Sequence, residues 1–227
     1  MPKLQKEKIN TLILSDIHLG DQTVRHDEVL KVLKRYDAEK IILNGDILNG
    51  LKFQRLHSAH WKILSTLRQL SKTREVVWIH GNHDADVTII TNLLGIKSVN
   101  KHLWEMDGKK FLAIHGHQFD RFLNNNFIIS QITFYIYSQL KRNAIGKFVL
   151  DYIKNNNQTW KRNSVGVAKG AMRLARLMNA NHVFCGHTHQ IHEQEKNKIK
   201  YFNTGSWTET PSAYVTMSKD GVVLRQI

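Results

Sequence analysis

The stretch EVVWIHGNHD, residues 75–84, runs from an apolar pattern straight into a glycine, an amide, an imidazole and a carboxylate. Val76 to Ile79 read as a strand buried on both faces, because the apolar run is continuous and is bounded by turn residues. The polar residues then fall where a strand hands over to a loop. The same pattern recurs four times more, as TLILSDIHLG (11–20), KIILNGDILNG (40–50), KKFLAIHGHQFD (109–120) and HVFCGHTHQ (182–190). Helical patterns lie between these strands. Residues 26–36 place Val29, Leu30, Val32 and Leu33 on one broad face, and residues 55–71 space Leu56, Ile63, Leu64, Leu67 and Leu70 helically. Strand–helix alternation of this kind predicts an α/β architecture. Toward the C-terminus, IKYFNTGSW, SAYVTMS and GVVLRQI read as short strands joined by turns, an antiparallel addition to the sheet.

One segment breaks the alternation. Residues 121–179 contain no clear strand and are expected to form a helical cap inserted in a single domain spanning 1–227, with helices near 126–141, 143–155 and 163–179. In the last of these, Val165, Ala168, Met172, Ala175 and Leu177 fall broadly on one side, while Lys169, Arg173 and Arg176 form one basic stripe. The run Phe127 to Tyr137 is apolar around most of a helix, which suits burial or contact with lipid. It holds Ser130, Gln131 and Thr133 and falls short of the roughly 20 residues of a membrane span.

Charge supports a phosphate-rich partner. The chain of 227 residues has a net charge of +14, and Arg121 to Arg176 hold ten Lys or Arg against Asp151 alone, nine of that excess. Such a patch attracts nucleic acid, anionic lipid or a phosphorylated small molecule. A lone Cys185 and a polar, basic start (MPKLQKEKIN) give the expectation of a reducing, cytoplasmic location, peripheral on the inner face of a membrane where the basic cap touches it.

The five polar clusters offer Asp16, His18, Asp46, Asn82, His115, His187 and His189. Carboxylate, imidazole and amide donors without thiolate suit a divalent metal centre, with manganese as first choice and iron or zinc as alternatives. Seven ligands are too many for one tetrahedral ion but fit two ions about 4 Å apart that share a carboxylate. In DIH and HTH the candidate ligands are two residues apart, which in an extended backbone points both the same way. The neighbouring Gly45, Gly81, Gly116 and Gly186 are expected to let backbone approach ions and phosphate. Two such cations acidify a water and neutralise phosphoryl oxygens. The leaving oxygen then needs a proton or a positive charge, which an imidazole supplies at neutral pH and an amide does not. This assigns the acid role to His83.

The set DIH, GD, GNHD, HGH and GHTH resembles the calcineurin-like metallophosphoesterase superfamily over residues 11 to about 206. The resemblance implies a four-layer α/β/β/α sandwich with a dinuclear centre at the strand ends. It implies that Asp16, His18 and His189 hold one metal, that Asn82, His115 and His187 hold the other, and that Asp46 bridges. It also implies that His83 sits by the leaving group with Asp84 as its orienting partner. Within the superfamily, HGHQFD and YFNTGSWTETPSAYVTM are similar to the UDP-2,3-diacylglucosamine pyrophosphatase-like group, whose cap shelters acyl chains of a lipid A precursor. The chain departs from that group at His83, where its best-known members carry Arg, at His117 and at Ser206.

Three readings follow. The first is a hydrolase of a pyrophosphate- or phosphodiester-linked, lipid-bearing small molecule, with His117, Lys169, Arg173 and Arg176 touching substrate. The second is a phosphodiesterase or nuclease acting on nucleic acid or another nucleotide-type ester. The third is a non-catalytic scaffold, which the seven filled ligand positions argue against.

Overall fold

The computed structural model describes residues 6–50, 53–84, 86–120 and 158–227. The predicted helices at 126–141 and 143–155, and the apolar run 127–137, lie outside the described residues.

Two sheets stack face to face. The first contains six strands in the order β11-β10-β1-β2-β3-β4. Its members are β1 (Glu7–Leu14), β2 (Tyr36–Asn44), β3 (Glu75–Ile79), β4 (Lys97–Val99), β10 (Ala213–Ser218) and β11 (Gly221–Gln226). The second contains five in the order β5-β6-β7-β9-β8, from β5 (His102–Met106), β6 (Lys109–Ala113), β7 (His182–Cys185), β8 (Ile191–Lys196) and β9 (Ile199–Thr204). Strands β1 to β4 are mutually parallel, as are β6, β7 and β9. The C-terminal hairpin β10–β11 adds antiparallel to β1, as expected from its turns, whereas IKYFNT, expected in the same antiparallel addition, is β9, which lies parallel to β7 inside the second sheet.

Continuous apolar runs make sense because each central strand is covered on both faces. Along β1, Leu12 and Leu14 enter an outer core while Ile13 faces the other sheet. The same period of two divides Ile41 and Leu43 from Ile42, and Val76 and Trp78 from Val77 and Ile79. The inter-sheet layer is closed by stacked Trp104, Phe111, Phe184 and Phe202. Outside the first sheet lie α1 (His26–Arg35), α2 (Ser58–Ser71) and α3 (Thr88–Leu94). In α1 the acids Asp27 and Glu28 open the helix and Lys34 and Arg35 close it, in accord with the helix dipole. Helix α3 stops at Gly95, whose φ of 61° is the left-handed conformation that suits glycine. On the outer face of the second sheet lies α4 (Gln158–Leu177), which buries Ala168, Ala171, Met172 and Ala175 against Val183, Cys185 and Tyr201. The layers are therefore α/β/β/α, as the resemblance implies.

Details differ from expectation. Helix α2 begins at Ser58, and Leu56 is buried from a loop that follows a 3₁₀ turn at Phe53–Arg55. Helix α4 runs from 158 to 177 and not from 163 to 179, and Val165 and Leu177 are 51% and 74% exposed, off the buried face. Strands β4, β5 and β8 and helix α3 are additional. They are short or half-exposed elements with weak apolar periodicity.

Candidate active site

Five clusters converge because parallel strands in both sheets end on the same side. Asp16 follows β1, Asp46 follows β2, Asn82 follows β3, His115 follows β6, and His187 and His189 follow β7. The loops are sewn together by their own backbone. The Asp16 and His18 amides donate to the carbonyls of Gly45 and Asp46, and the Gly186 amide donates to His115. The carboxylates join the same seams. Asp16 accepts from the His187 amide at 3.0 Å, and Asp46 accepts from the His83 amide at 2.8 Å.

Two groups of candidate ligands result, Asp16/His18/His189 and Asp46/His115/His187. In the first, the Nε2 atoms of His18 and His189 are 3.0 Å apart, and His189 Nε2 lies 3.3 Å from Asp16 Oδ1. In the second, His115 Nε2 lies 3.2 Å from Asp46 Oδ2 but is out of hydrogen-bonding alignment with it. His115 Nδ1 is 2.9 Å from the Asn44 carbonyl, so this nitrogen keeps its proton and Nε2 is the atom a metal would take, on losing its own proton. Asn82 Oδ1 is buried without a hydrogen-bond partner. The orphaned Asn82 Oδ1 and His115 Nε2, with two buried carboxylates in the same loops, are what an oxygen- and nitrogen-binding divalent cation would satisfy. These residues fit such a group.

Backbone strain marks the same residues. Among the described residues, nine non-glycine residues have positive φ, and five of them are Asp16, His18, Asp46, His187 and His189. Each costs on the order of 1 kcal/mol or more, and such strain persists where surrounding structure enforces it. It also corrects the expected geometry of DIH and HTH. Their ligands do not alternate along an extended strand. Left-handed kinks aim them, and His187 and His189 turn to different groups.

The glycines act differently from expectation too. A Cβ on Gly81 would strike Asp46 Oδ1, one on Gly186 would strike Asp16 Oδ2, and one on Gly45 would strike the His115 ring. They make room for the ligand side chains themselves.

Burial raises the Asp16 carboxyl, but hydrogen bonding to His189 and the charges of His115 and His189 outweigh it, so Asp16 stays below its ordinary value. Asp46 is held well below in the same way, with His115 the main opposing charge to burial. Burial pushes His18 down to about 3. His115 rises to about 10, because Asp46 overcomes the burial that would lower it. His189 is raised as well, because Asp16 and Glu209 overcome its burial, so the centre sets two ionised carboxylates against protons held on His115 and His189, which divalent cations would displace.

His83 stands beside the first group, its ring 5.3 Å from that of His18. Burial lowers its pKa, and Asp46 opposes the shift. Asp84 is not seen orienting this ring. Its carboxylate accepts hydrogen bonds from the amides of Asp46, Ile47, Leu48 and Gly81 and from Trp78 Nε1. Burial, then the charge of Asp46, raises it to about 6 against those donors. Its task is to fasten the Asp46 and Asn82 loops together. His117 lies 5.5 Å from His115 and 6.3 Å from His187, ring to ring, so it borders the second group. Lys169, Arg173 and Arg176 do not join the centre. They line a separate cavity whose described lining contains none of the candidate ligands.

Two carboxylates were not assigned from sequence. Asp120 Oδ2 is 2.8 Å from His187 Nε2 and also accepts from Asn163, and Glu209 Oε1 is 3.6 Å from His189 Nδ1. Both orient a candidate ligand from behind, in the manner of carboxylate–histidine pairs at metal sites. Asp120 is legible as the last residue of HGHQFD, and Glu209 lies within YFNTGSWTETPSAYVTM, so both stood in stretches that carry the resemblance without being assigned a role.

With this geometry the protein class follows. A family model described as calcineurin-like phosphoesterase superfamily domain matches residues 9–220. The chain belongs to that superfamily, and the membership makes it a hydrolase acting on phosphoesters. Similar solved structures include the phosphoesterase Yfce from E. coli (TM-score 0.54, 18% identity, 96% of this chain and 97% of that one). Another is an archaeal phosphodiesterase (TM-score 0.52, 14% identity, 96% and 98%). Vacuolar Protein Sorting 29 from Cryptosporidium parvum shares the fold as well (TM-score 0.51, 11% identity, 96% and 96%). At these identities the likeness is one of fold. A curated relative, the DNA polymerase II small subunit of Methanothermobacter thermautotrophicus, is 22% identical over 160 residues, 53% of this chain. The match takes in 33% of that protein, so the chain spans about a third of its length.

Proposed function

We propose that the chain is a dinuclear-metal phosphohydrolase that cleaves a phosphodiester or pyrophosphate bond. The observation that carries this is the pair of ligand groups, Asp16/His18/His189 and Asp46/His115/His187, built side by side with the orphaned Asn82 Oδ1. Asp46, between His83 and His115, is the natural shared carboxylate, and Asn82 completes the second group. When bound, two divalent cations, manganese first, supply Lewis acidity toward the phosphoryl oxygens and a water nucleophile. His83 is neutral at neutral pH because burial lowers its pKa, so it offers the leaving oxygen an N–H. An anionic ester beside the ring favours uptake of the second proton. His117 borders the space for the phosphoryl group.

The narrower substrate reading is a lipid-bearing nucleoside diphosphate sugar such as UDP-2,3-diacylglucosamine. It rests on HGHQFD, YFNTGSW and the length of the insertion. It brings with it a cytoplasmic location and contact of the basic insertion with anionic membrane. No helix among the described residues is long and apolar enough to cross a membrane. The second reading, a nucleic-acid phosphodiesterase, is favoured by the clustering of Lys169, Arg173 and Arg176 with Lys196 along one cavity, and by the DNA polymerase subunit relative.

A turnover panel with Mn²⁺ tests both. It comprises bis-p-nitrophenyl phosphate, a UDP-sugar, UDP-diacylglucosamine and single-stranded DNA. Turnover of the model diester is expected. No turnover of any ester by fully metallated protein would overturn the hydrolase reading.

A further inference from the structure

A groove runs along α4 on the side facing strand β8. Its inner part is a cavity of about 230 Å³ between Lys161 and Ser164 on the helix and Thr188, His192 and Gln194 opposite. Its outer part, about 320 Å³, lies between Lys169, Arg173 and Arg176 on the helix and Lys196 opposite. The two parts meet where Gln194 Nε2 approaches Met172 Sδ at 3.5 Å, since Gln194 lines the inner cavity and Met172 the outer. Thr188 starts the groove between the candidate ligands His187 and His189. The inner end therefore abuts the loop that carries both of these candidate ligands.

Its charge has one sign. Lys161, Lys169, Arg173, Arg176 and Lys196 line it, and no Asp or Glu does among the described residues. The strand explains why. His192, Gln194 and Lys196 share one face of β8, and Glu193 and Glu195 alternate to the other, where Glu195 reaches Lys200 at 4.0 Å. None of the five cations makes an ion pair among the described residues. The four on the helix run from Lys161 to Arg176, a rise of about 22 Å, which is long enough for several phosphates in a row and too long for one headgroup or one nucleoside diphosphate. The surface is concave, whereas a bilayer presents a flat face. Such a groove follows a phosphate backbone.

We propose that this track binds the sugar–phosphate backbone of a single-stranded nucleic acid and leads it to the metal centre. The binding stands on the groove alone, and only the destination rests on the hydrolase reading.

The test is fluorescence anisotropy of a labelled, hydrolysis-resistant phosphorothioate thymidine 20-mer titrated with the metal-loaded full chain across a salt series. Wild type is expected to bind. The triple variant Arg173→Gln/Arg176→Gln/Lys196→Gln should bind at least tenfold more weakly, with a salt slope shallower by about 2, from three lost phosphate contacts at about 0.7 each. Lys196→Glu, at the exposed end of β8, repeats the test without altering α4. Equal affinity and slope in wild type and both variants would overturn the proposal. So would a variant defect seen only on phosphatidylglycerol vesicles, which would make the groove a membrane contact. Turnover of bis-p-nitrophenyl phosphate without binding of the 20-mer ends this inference and leaves the hydrolase reading standing. Binding of the 20-mer without turnover of any ester does the reverse.

Discussion

The Asp84 carboxylate accepts a hydrogen bond from the Asp46 amide at 2.9 Å, and a second loop amide, that of Gly81, donates to the same oxygen at 2.8 Å. One buried side chain thus fixes the distance between the loop that carries Asp46 and the loop that carries Asn82 and His83. Asp84→Asn puts an amide N–H where only donors point. The change should cost about 2–4 kcal/mol and lower Tm by roughly 5–10 °C, with metal retention falling in step. Thermal melts and metal analysis check this, and an unchanged Tm would contradict the clamp.

The glycines give a paired prediction. Gly81→Ala drives a methyl into Asp46 Oδ1 and should weaken metal binding by roughly 10–100-fold while the secondary structure stays folded. Gly166→Ala meets nothing within 4 Å inside α4 and should raise stability by about 0.5–1 kcal/mol. Metal titration and urea melts of the two variants separate the effects.

Glu209 and Asp120 should act through the histidines they face. Glu209→Gln and Asp120→Asn are each expected to lower metal retention about tenfold or more, measured by chelator competition. Retention equal to wild type would mean that the rings are held by other contacts.

His83→Ala should lower kcat about 100-fold with both metal equivalents retained. Loss of metal from this variant would make His83 a ligand and not a donor to the leaving group.

Stability should depend on pH through imidazoles far from the ligands. Burial holds His60 and His182 down to about 4, with His57 and Lys200 respectively the next causes. The unfolded chain binds these protons first, so stability is complete above about 6.5 and falls as pH drops from there toward 4. The slope is at most about 1 kcal/mol per pH unit for each group, reduced by solvent screening. Urea midpoints at pH 7 and pH 5 measure it. His182→Phe, which extends the stack with Phe111 and Phe202, should flatten the dependence.

Much of this protein is written locally. The apolar runs around Ile13, Ile42, Val77 and Phe184 define strands covered on both faces, and the polar clusters after them name the candidate ligands, because both patterns are contiguous in the chain. Other features are not local. Asp84 reads as a partner for its neighbour His83, yet its donors come mainly from residues 46–48 across the sheet. Glu209 and His189 meet only because β9 pairs beside β7. The basic stripe of α4 is visible as a helical period, but its separation from the metal centre and its closure by Lys196 depend on where β8 packs. Sequence alone determined the strand grammar and the chemistry of the ligands, which depend on residue type and short-range period. Tertiary structure decided which loop each carboxylate serves and which cations share a groove, because those distances arise only when separate strands and helices are packed together.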